Sequence, residues 1–312
     1  MRRLVIALCC VTLAALSGTV PASADTAGAG HHRPGGVFPT LKRDMVAYYD
    51  FDHPTGPGGA VERDQGRSHT NINLINGAPR VRDRFGHALQ TGQVSTVLSN
   101  DDWKAGLYSA TGVPSLHAFN ATREATVMGW FKLTGVNPAP NTQTANPDDI
   151  YSAFGLAGVL TGDSDGHAVR ALLEVFQVQG QVRVVALGRR IDGGQSQTFA
   201  ANTPWPEILP QNQWVFLAAT FNFDTGQMAL YRNGKALDGF YATAGDPWQL
   251  EGTPSPHLTT ASDPRGIKIG GSFPQNTQER NPCNCRMDEL MFLNRALTAK
   301  EVWLQYQWAR RH

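Results

Sequence analysis

The chain has 312 residues, with 27 lysines and arginines against 26 aspartates and glutamates, a formal net charge of +1, and 41% hydrophobic residues. This near-neutral balance gives no electrostatic footprint for nucleic acid or for anionic lipid. Four cysteines in this length cannot be the main staple of a fold, so a hydrophobic core has to hold it.

Residues 1–24 read as a secretion signal. Arg2 and Arg3 precede the apolar run LVIALCCVTLAAL, too short to span a bilayer, and Ala22-Ser23-Ala24 supplies a small-residue cleavage site. No later segment approaches the ~18 unbroken apolar residues of a membrane span. The expectation is a secreted, extracellular protein cleaved near Ala24, with no span in the mature chain. Cleavage would remove Cys9 and Cys10 together with two arginines, leaving 25 basic residues against 26 acidic ones. Those cysteines sit inside the apolar run with no cleavage box before them, which argues against a lipid anchor.

Residues 25–40 are rich in glycine, proline and histidine and read as a flexible leader. His31-His32 is too short for a metal tract. Residues 41–312 contain no Pro/Ser/Thr-rich linker and no fixed repeat, and read as one large domain.

Within that domain, short strands are divided by turn chemistry. MVAYYDFD predicts a strand over 45–52 that ends at His53-Pro54, where proline removes a ladder donor. TVMGWFKL predicts a strand over 126–133, with Val127, Phe131 and Leu133 on one face and Met128 and Trp130 on the other. Two further strands, 169–178 and 181–187, fold about Gln179-Gly180. Strands over 214–222 and 227–232 flank Asp224-Thr225-Gly226 and are followed by Asn233-Gly234, a pair suited to a type I′ turn because both central residues need positive φ. Strands over 266–272 and 286–293 follow. A helix near 299–308 opens with Thr298 and Glu301, a capping box that satisfies backbone N–H groups of its first turn. Many short strands and one terminal helix describe an all-β antiparallel sandwich.

Six phrases in chain order carry a resemblance: AYYDFDHPTG, VERDQGRSHTNINLINGAPRVRDRFGHALQTG, TVMGWFKL, NQWVFLAATFNFDTGQMALYRNGK, IKIGGS and RMDELMFLNRALTAKEV. Together they resemble laminin G-like domains of the concanavalin A-like lectin/glucanase superfamily. The long stretches 136–150 and 189–213 and the cysteine pair depart from that pattern. The resemblance implies a jelly roll with a short C-terminal helix. It also implies a structural calcium bridging the first and last strands, held by Asp52 and Asp288 with Asp64 and Asn71 as further ligands. Without an ion, Asp288 and Glu289 would instead cap a strand or pair with arginines such as Arg286. Asp163-Ser164-Asp165-Gly166 lacks the later ligands of a calcium loop and reads as an exposed turn.

Glucanases of this fold carry closely alternating carboxylates on one strand, and no such string occurs here. Glu174 stands alone on its strand, although Asp192 or Glu207 could supply a partner. No nucleophile-elbow, HExxH, P-loop or dinucleotide pattern is present. The expected function is therefore a secreted carbohydrate-binding, lectin-like or surface-adhesion module that takes a glycan or cell-surface polysaccharide. A polysaccharide-degrading enzyme on the same scaffold is the alternative, and a protein-binding adhesion domain comes third. Sugar sites pair aromatic platforms with polar side chains. Trp205, Trp248 and Tyr241 lie in Pro- and Gly-rich loops and could stack, with Asp192 and Gln195 as polar contacts. The same tryptophans could also plug the sandwich as lids. Cys283-Asn284-Cys285 reads as an intrachain disulfide closing a small ring, or else as a redox pair. Asn120-Ala121-Thr122 is a glycosylation sequon.

Overall fold

The computed structural model describes residues 36–75, 78–83, 85–92, 104–109, 111–119, 122–137, 154–160, 171–189, 196–243, 264–271 and 283–311. The expected signal segment, Asn120, the turn at 163–166, Asp192, Gln195 and Trp248 lie outside these residues.

In chain order the strands are β1 (Met45–Tyr49), β2 (Pro54–Thr55), β3 (Val61–Glu62), β4 (Ile72–Leu74), β5 (Arg80–Asp83), β6 (Gly86–Gln90), β7 (Ala105–Tyr108), β8 (Glu124–Leu133) and β9 (Phe154–Leu160). They continue as β10 (Ala171–Val178), β11 (Gln181–Arg189), β12 (Ser196–Ala201), β13 (Val215–Asn222), β14 (Met228–Arg232), β15 (Lys235–Leu237), β16 (Gly239–Tyr241), β17 (Gly266–Ile269) and β18 (Cys285–Leu293). Two α-helices accompany them, the single turn α1 (Trp205–Ile208) and the closing helix α2 (Ala299–Arg311).

Two antiparallel sheets result. One runs β15-β14-β13-β8-β18-β6-β5, with β1 also paired to β18, and the other runs β16-β12-β11-β10-β9-β17-β7-β4-β3-β2. Side-chain alternation along β8 shows how they are cemented. Val127, Phe131 and Leu133 enter the main core between the sheets, together with Val175 and Ile267 of the second sheet. Met128 and Trp130 face the opposite way, into a second cluster with Phe216, Val302 and Ala309, the last two from α2. The first sheet is thus buried on both faces, and its central strands need apolar residues at nearly every position. Burial on that scale stabilises by about 25 cal/mol per Å² of apolar surface.

Local chemistry fixes the register. Asn233 and Gly234 adopt φ of 51° and 77°, and Gln179 and Gly180 adopt 52° and 76°, so both tight hairpins have two left-handed residues. Arg232 then faces Lys235, and Val178 faces Gln181. At α2 the expected box forms: Thr298 N–H donates to Glu301 Oε2 (2.9 Å) and Glu301 N–H to Thr298 Oγ1 (3.3 Å).

Two strand ends come earlier than the sequence suggests. β1 stops at Tyr49 because Asp50 Oδ1 accepts the Asp52 N–H (3.2 Å) and Phe51 turns to φ 55°, folding 50–53 away from the ladder. β17 stops at Ile269, before Gly270 at φ 74°.

Candidate functional site

The site is set by an irregularity in β18. On one edge this strand pairs with β6 at Arg286 and Met287 and then with β1 from Leu290 to Leu293. On its other edge Asp288 faces Trp130 but Met291 faces Met128, so one extra residue is inserted. Glu289 takes φ 52° at this bulge. Gly129 permits it: a Cβ there would lie 2.5 Å from Leu290 and close to the carbonyls of Asp288 and Glu289. The acidic pair therefore sits where the strand changes partner, a place at which backbone N–H groups are released from the ladder.

Asp288 and Glu289 are 1% and 3% exposed. Asp288 Oδ1 accepts the Glu289 N–H (2.7 Å), while Glu289 accepts the Tyr48 hydroxyl (2.9 Å) and the Gly36 N–H (2.7 Å). Burial, followed by the Glu289 charge, pushes the Asp288 carboxyl well above the usual carboxylate range. Burial pushes Glu289 up to about 7, with Asp50 and Asp52 adding to the rise and the two hydrogen bonds opposing it. Burial, with Glu289 next, also raises the Tyr48 phenol well above its ordinary value. Among the described residues no lysine or arginine forms an ion pair with either carboxylate.

Asp50 and Asp52 approach from the end of β1. Asp52 Oδ1 lies 2.7 Å from His87 Nδ1 and Asp50 Oδ1 lies 2.7 Å from His53 Nδ1. Gly86 (φ 123°) is tightly placed here, since a side chain at that position would strike the Asp52 carboxylate. Asp50 and Asp52 thus reach Asp288 and Glu289 through their charge, each held by its own histidine.

Asp64 and Asn71 are built into something else. Asp64 Oδ1 accepts the N–H groups of Tyr48 (2.8 Å) and Gly66 (2.6 Å), and Oδ2 accepts the Ser68 hydroxyl (2.6 Å) and the Thr70 N–H (2.8 Å). Asn71 Oδ1 accepts the Asp64 N–H (3.1 Å). These contacts order the 64–71 loop against β1. The sequence also gave no hint of a second grouping, in which Asp50, His53 and Glu62 bring one ligand atom each within 4.8 Å of one another. Glu62 is already compensated there, with Oε2 2.9 Å from Arg80 Nε and 2.6 Å from Arg80 Nη2.

Beside the acidic centre, across Tyr48, lies a cleft of about 530 Å³ lined by Gly36, Val37, Lys42, Met45, Tyr48, Gln65, Gly66, Arg67 and His69. Met45 and Tyr48 form its apolar floor, and the 64–71 loop and the 36–42 segment form its walls.

The loop aromatics are placed differently. Trp205 is half-buried, with its ring 5.5 Å edge-on from Phe154 and its body packed on the main core, which is the lid position. Tyr241 is 37% exposed, its ring 5.3 Å from Phe199, and its hydroxyl accepts the Met228 N–H (3.0 Å). Trp214 donates its indole N–H to Asp83 (3.0 Å). Arg286 pairs with Asp83 rather than with the acidic pair two residues on. Glu174 faces Gly155 and Val185, so neither cross-strand neighbour is a carboxylate. Cys283 and Cys285, both fully buried, are joined as a disulfide.

Comparison with known proteins agrees with this architecture. The binding domain of Paraclostridial Mosquitocidal Protein 1 superimposes with a TM-score of 0.53 at 15% identity, over 85% of this chain and 52% of that one. The receptor binding domain of botulinum neurotoxin C/D mosaic serotype does so at 0.50 and 13% identity, over 85% and 51%. Trypanosoma rangeli sialidase, in complex with 2,3-difluorosialic acid, gives 0.50 at 13% identity, over 88% and 36%. At such identities the likeness is one of fold, and this chain spans about half the length of the two toxin domains. A search of curated proteins returned no match. The laminin G-type family described as the concanavalin A-like lectin/glucanases superfamily matches residues 105–303, well over half the sequence. The chain belongs to that superfamily, in its laminin G-like branch.

Proposed function

We propose that the protein is a secreted carbohydrate-binding module that holds a glycan or cell-surface polysaccharide in the cleft between the 36–42 segment and the 64–71 loop. The observation that carries this reading is the cleft's construction. Its volume suits one or two sugar units, Met45 and Tyr48 close its floor, and both walls are pinned by hydrogen bonds. A preordered wall lowers the ordering cost of binding. That two of the similar structures are named as binding domains supports a binding role.

We further propose that a calcium ion, bound by Asp288 and the chain around Asp52, serves stability more than recognition. No helix among the described residues is long and apolar enough to cross a membrane.

The test is a glycan array run on the full chain with and without chelator, alongside thermal melts. The expected result is retention of at least one glycan class, lost when the exposed Gln65 on the cleft wall is replaced by Trp. Trp205→Ala should lower stability by roughly 2–3 kcal/mol, since its ring covers core, and leave glycan retention unchanged. Saturating calcium at a hundredfold excess over its dissociation constant should stabilise by about 2.7 kcal/mol, and chelator should remove that gain. A chelator-insensitive melt rejects the ion, and an array blank for every glycan rejects the sugar.

A further inference from the structure

The cleft is asymmetric in charge. Its lining contains Lys42, Arg67 and His69 and no carboxylate. In a chain whose formal charge is only +1, three basic side chains around one cavity of about 530 Å³ are a local concentration that composition does not predict. All three are exposed, and among the described residues none has a hydrogen bond or ion pair from its side chain. Other arginines are committed to carboxylates: Arg80 to Glu62, Arg286 to Asp83, Arg295 to Asp44 and Glu301.

The backbone that presents these cations is fixed. Gln65 N–H donates to Tyr48 O (2.9 Å), Arg67 N–H to Met45 O (3.2 Å) and Ser68 N–H to Val46 O (2.8 Å), so the loop runs along β1 as an added edge. Gly66 lies so close that a Cβ there would meet the Val46 carbonyl at 2.5 Å. His69 is held at φ 51°, a left-handed conformation that costs energy in a non-glycine residue. On the opposite wall, Phe38 N–H donates to Gln305 Oε1 (2.7 Å) and Gln305 Nε2 donates to Gly36 O (2.9 Å), which ties the segment leading to Lys42 to α2. Charges arrayed on a fixed frame over an apolar floor form a recognition surface for an anion, because no reorganisation is needed when the ligand arrives. Low-dielectric walls also focus their field into the cavity.

We infer that the ligand of this cleft is an anionic saccharide, a sugar bearing a carboxylate or a sulfate, whose charged group lies between Lys42, Arg67 and His69 while its ring covers Met45 and Tyr48. This rests on the reading of the cleft as a sugar site and adds the class of sugar. Arginine suits either group, since its planar fork can donate two N–H bonds to one oxyanion.

The experiment uses the full-length protein on an array of neutral, uronate- or sialate-bearing, and sulfated oligosaccharides, repeated with Lys42→Gln, Arg67→Gln and the exposed Arg43→Gln, whose residue does not line the cleft. Expected are retention of anionic sugars over neutral ones, a loss of roughly tenfold or more for Arg67→Gln and for Lys42→Gln, and no change for Arg43→Gln. Raising the salt should weaken retention of the charged class alone. The carboxylated and sulfated arms separate the two sources of charge, and preference for either upholds the inference. Equal retention of neutral and charged sugars overturns it and leaves the sugar site standing, as does anionic binding indifferent to both cleft variants. A blank array overturns the sugar site and this inference together.

Discussion

Two buried acidic regions of this protein lie within a few residues of Tyr48 and behave in opposite ways. Asp64 is 2% exposed and accepts four donors, so its charge is met by the loop that it organises. Asp288 and Glu289 are as deeply buried, yet they face each other, Asp50 and Asp52. Burial costs a charge unless something meets it. Where backbone N–H groups do so, the carboxylate builds structure. Where other carboxylates are the neighbours, it is left able to take a proton or a metal.

The sharpest way to break this comparison is to remove Asp64. Asp64→Ala would strand the N–H groups of Tyr48, Gly66 and Thr70 and the Ser68 hydroxyl. Unmet buried donors cost about 1–3 kcal/mol apiece, and the loop can rehydrate some of them, so a loss of about 3–5 kcal/mol in urea unfolding is expected. Asp64→Asn keeps one acceptor oxygen and should lose less. A cost under about 1 kcal/mol for the alanine variant would mean that the loop does not depend on this side chain.

Next comes pH, read in chelator so that no metal contributes. Glu289 titrates at about 7 in the folded state, above the 4.5 of the unfolded chain. The folded state therefore holds a proton that the unfolded chain has given up. That contribution to stability is fully present below pH 4.5 and is lost as pH rises toward 7. The melting temperature should fall over this window by the equivalent of on the order of 3 kcal/mol, and Glu289→Gln should lessen the slope. A flat wild-type profile would show that the pair is compensated after all.

Asp288→Asn sharpens the same point through its sign. It keeps an oxygen for the Glu289 N–H and removes a carboxyl whose ionisation burial and Glu289 oppose. In chelator it should stabilise by about 1 kcal/mol, the reverse of Asp64→Asn. With calcium present it should instead fall below the wild type. Variants that move together under both conditions would remove the distinction between the two regions.

These contrasts also mark what was legible in the sequence. The jelly roll was, because hairpin turns such as Asn233-Gly234, the two-faced alternation of β8 and the Thr298–Glu301 box are local signals that packing did not overturn. Strands of two or three residues, such as β2, β3 and β4, were not, since they are too short to show a period and exist through their partners. The resemblance offered Asp64 as a metal ligand, and residue type alone does not show the four donors that reach it. The β18 bulge left no trace either, since an inserted residue is visible only against the pairing of β8. The cleft was equally hidden: Lys42 and Arg67 are brought to one cavity by a loop lying along β1.

The smallest effect belongs to a third kind of carboxylate. Glu301 has its Oε1 2.8 Å from Arg295 Nη2 and closes the capping box with Thr298. Here a guanidinium meets the charge, and the Arg295 hydrogen bond, outweighing partial burial, lowers the Glu301 carboxyl to about 2. The sign is opposite to that of Glu289: the contribution is present above pH 4.5 and is lost as pH falls toward 2. Solvent reaches both partners, their side chains being 27% and 26% exposed, so screening keeps the value small. Glu301→Gln, which retains an acceptor for the Thr298 N–H but no charge, should cost about 0.5–1 kcal/mol at neutral pH and almost nothing near pH 2. In one titration of the chelated protein, then, Glu289→Gln should alter the profile between pH 4.5 and 7 and Glu301→Gln only below it. If both variants changed the same window, the partners around each carboxylate would not be what sets its behaviour.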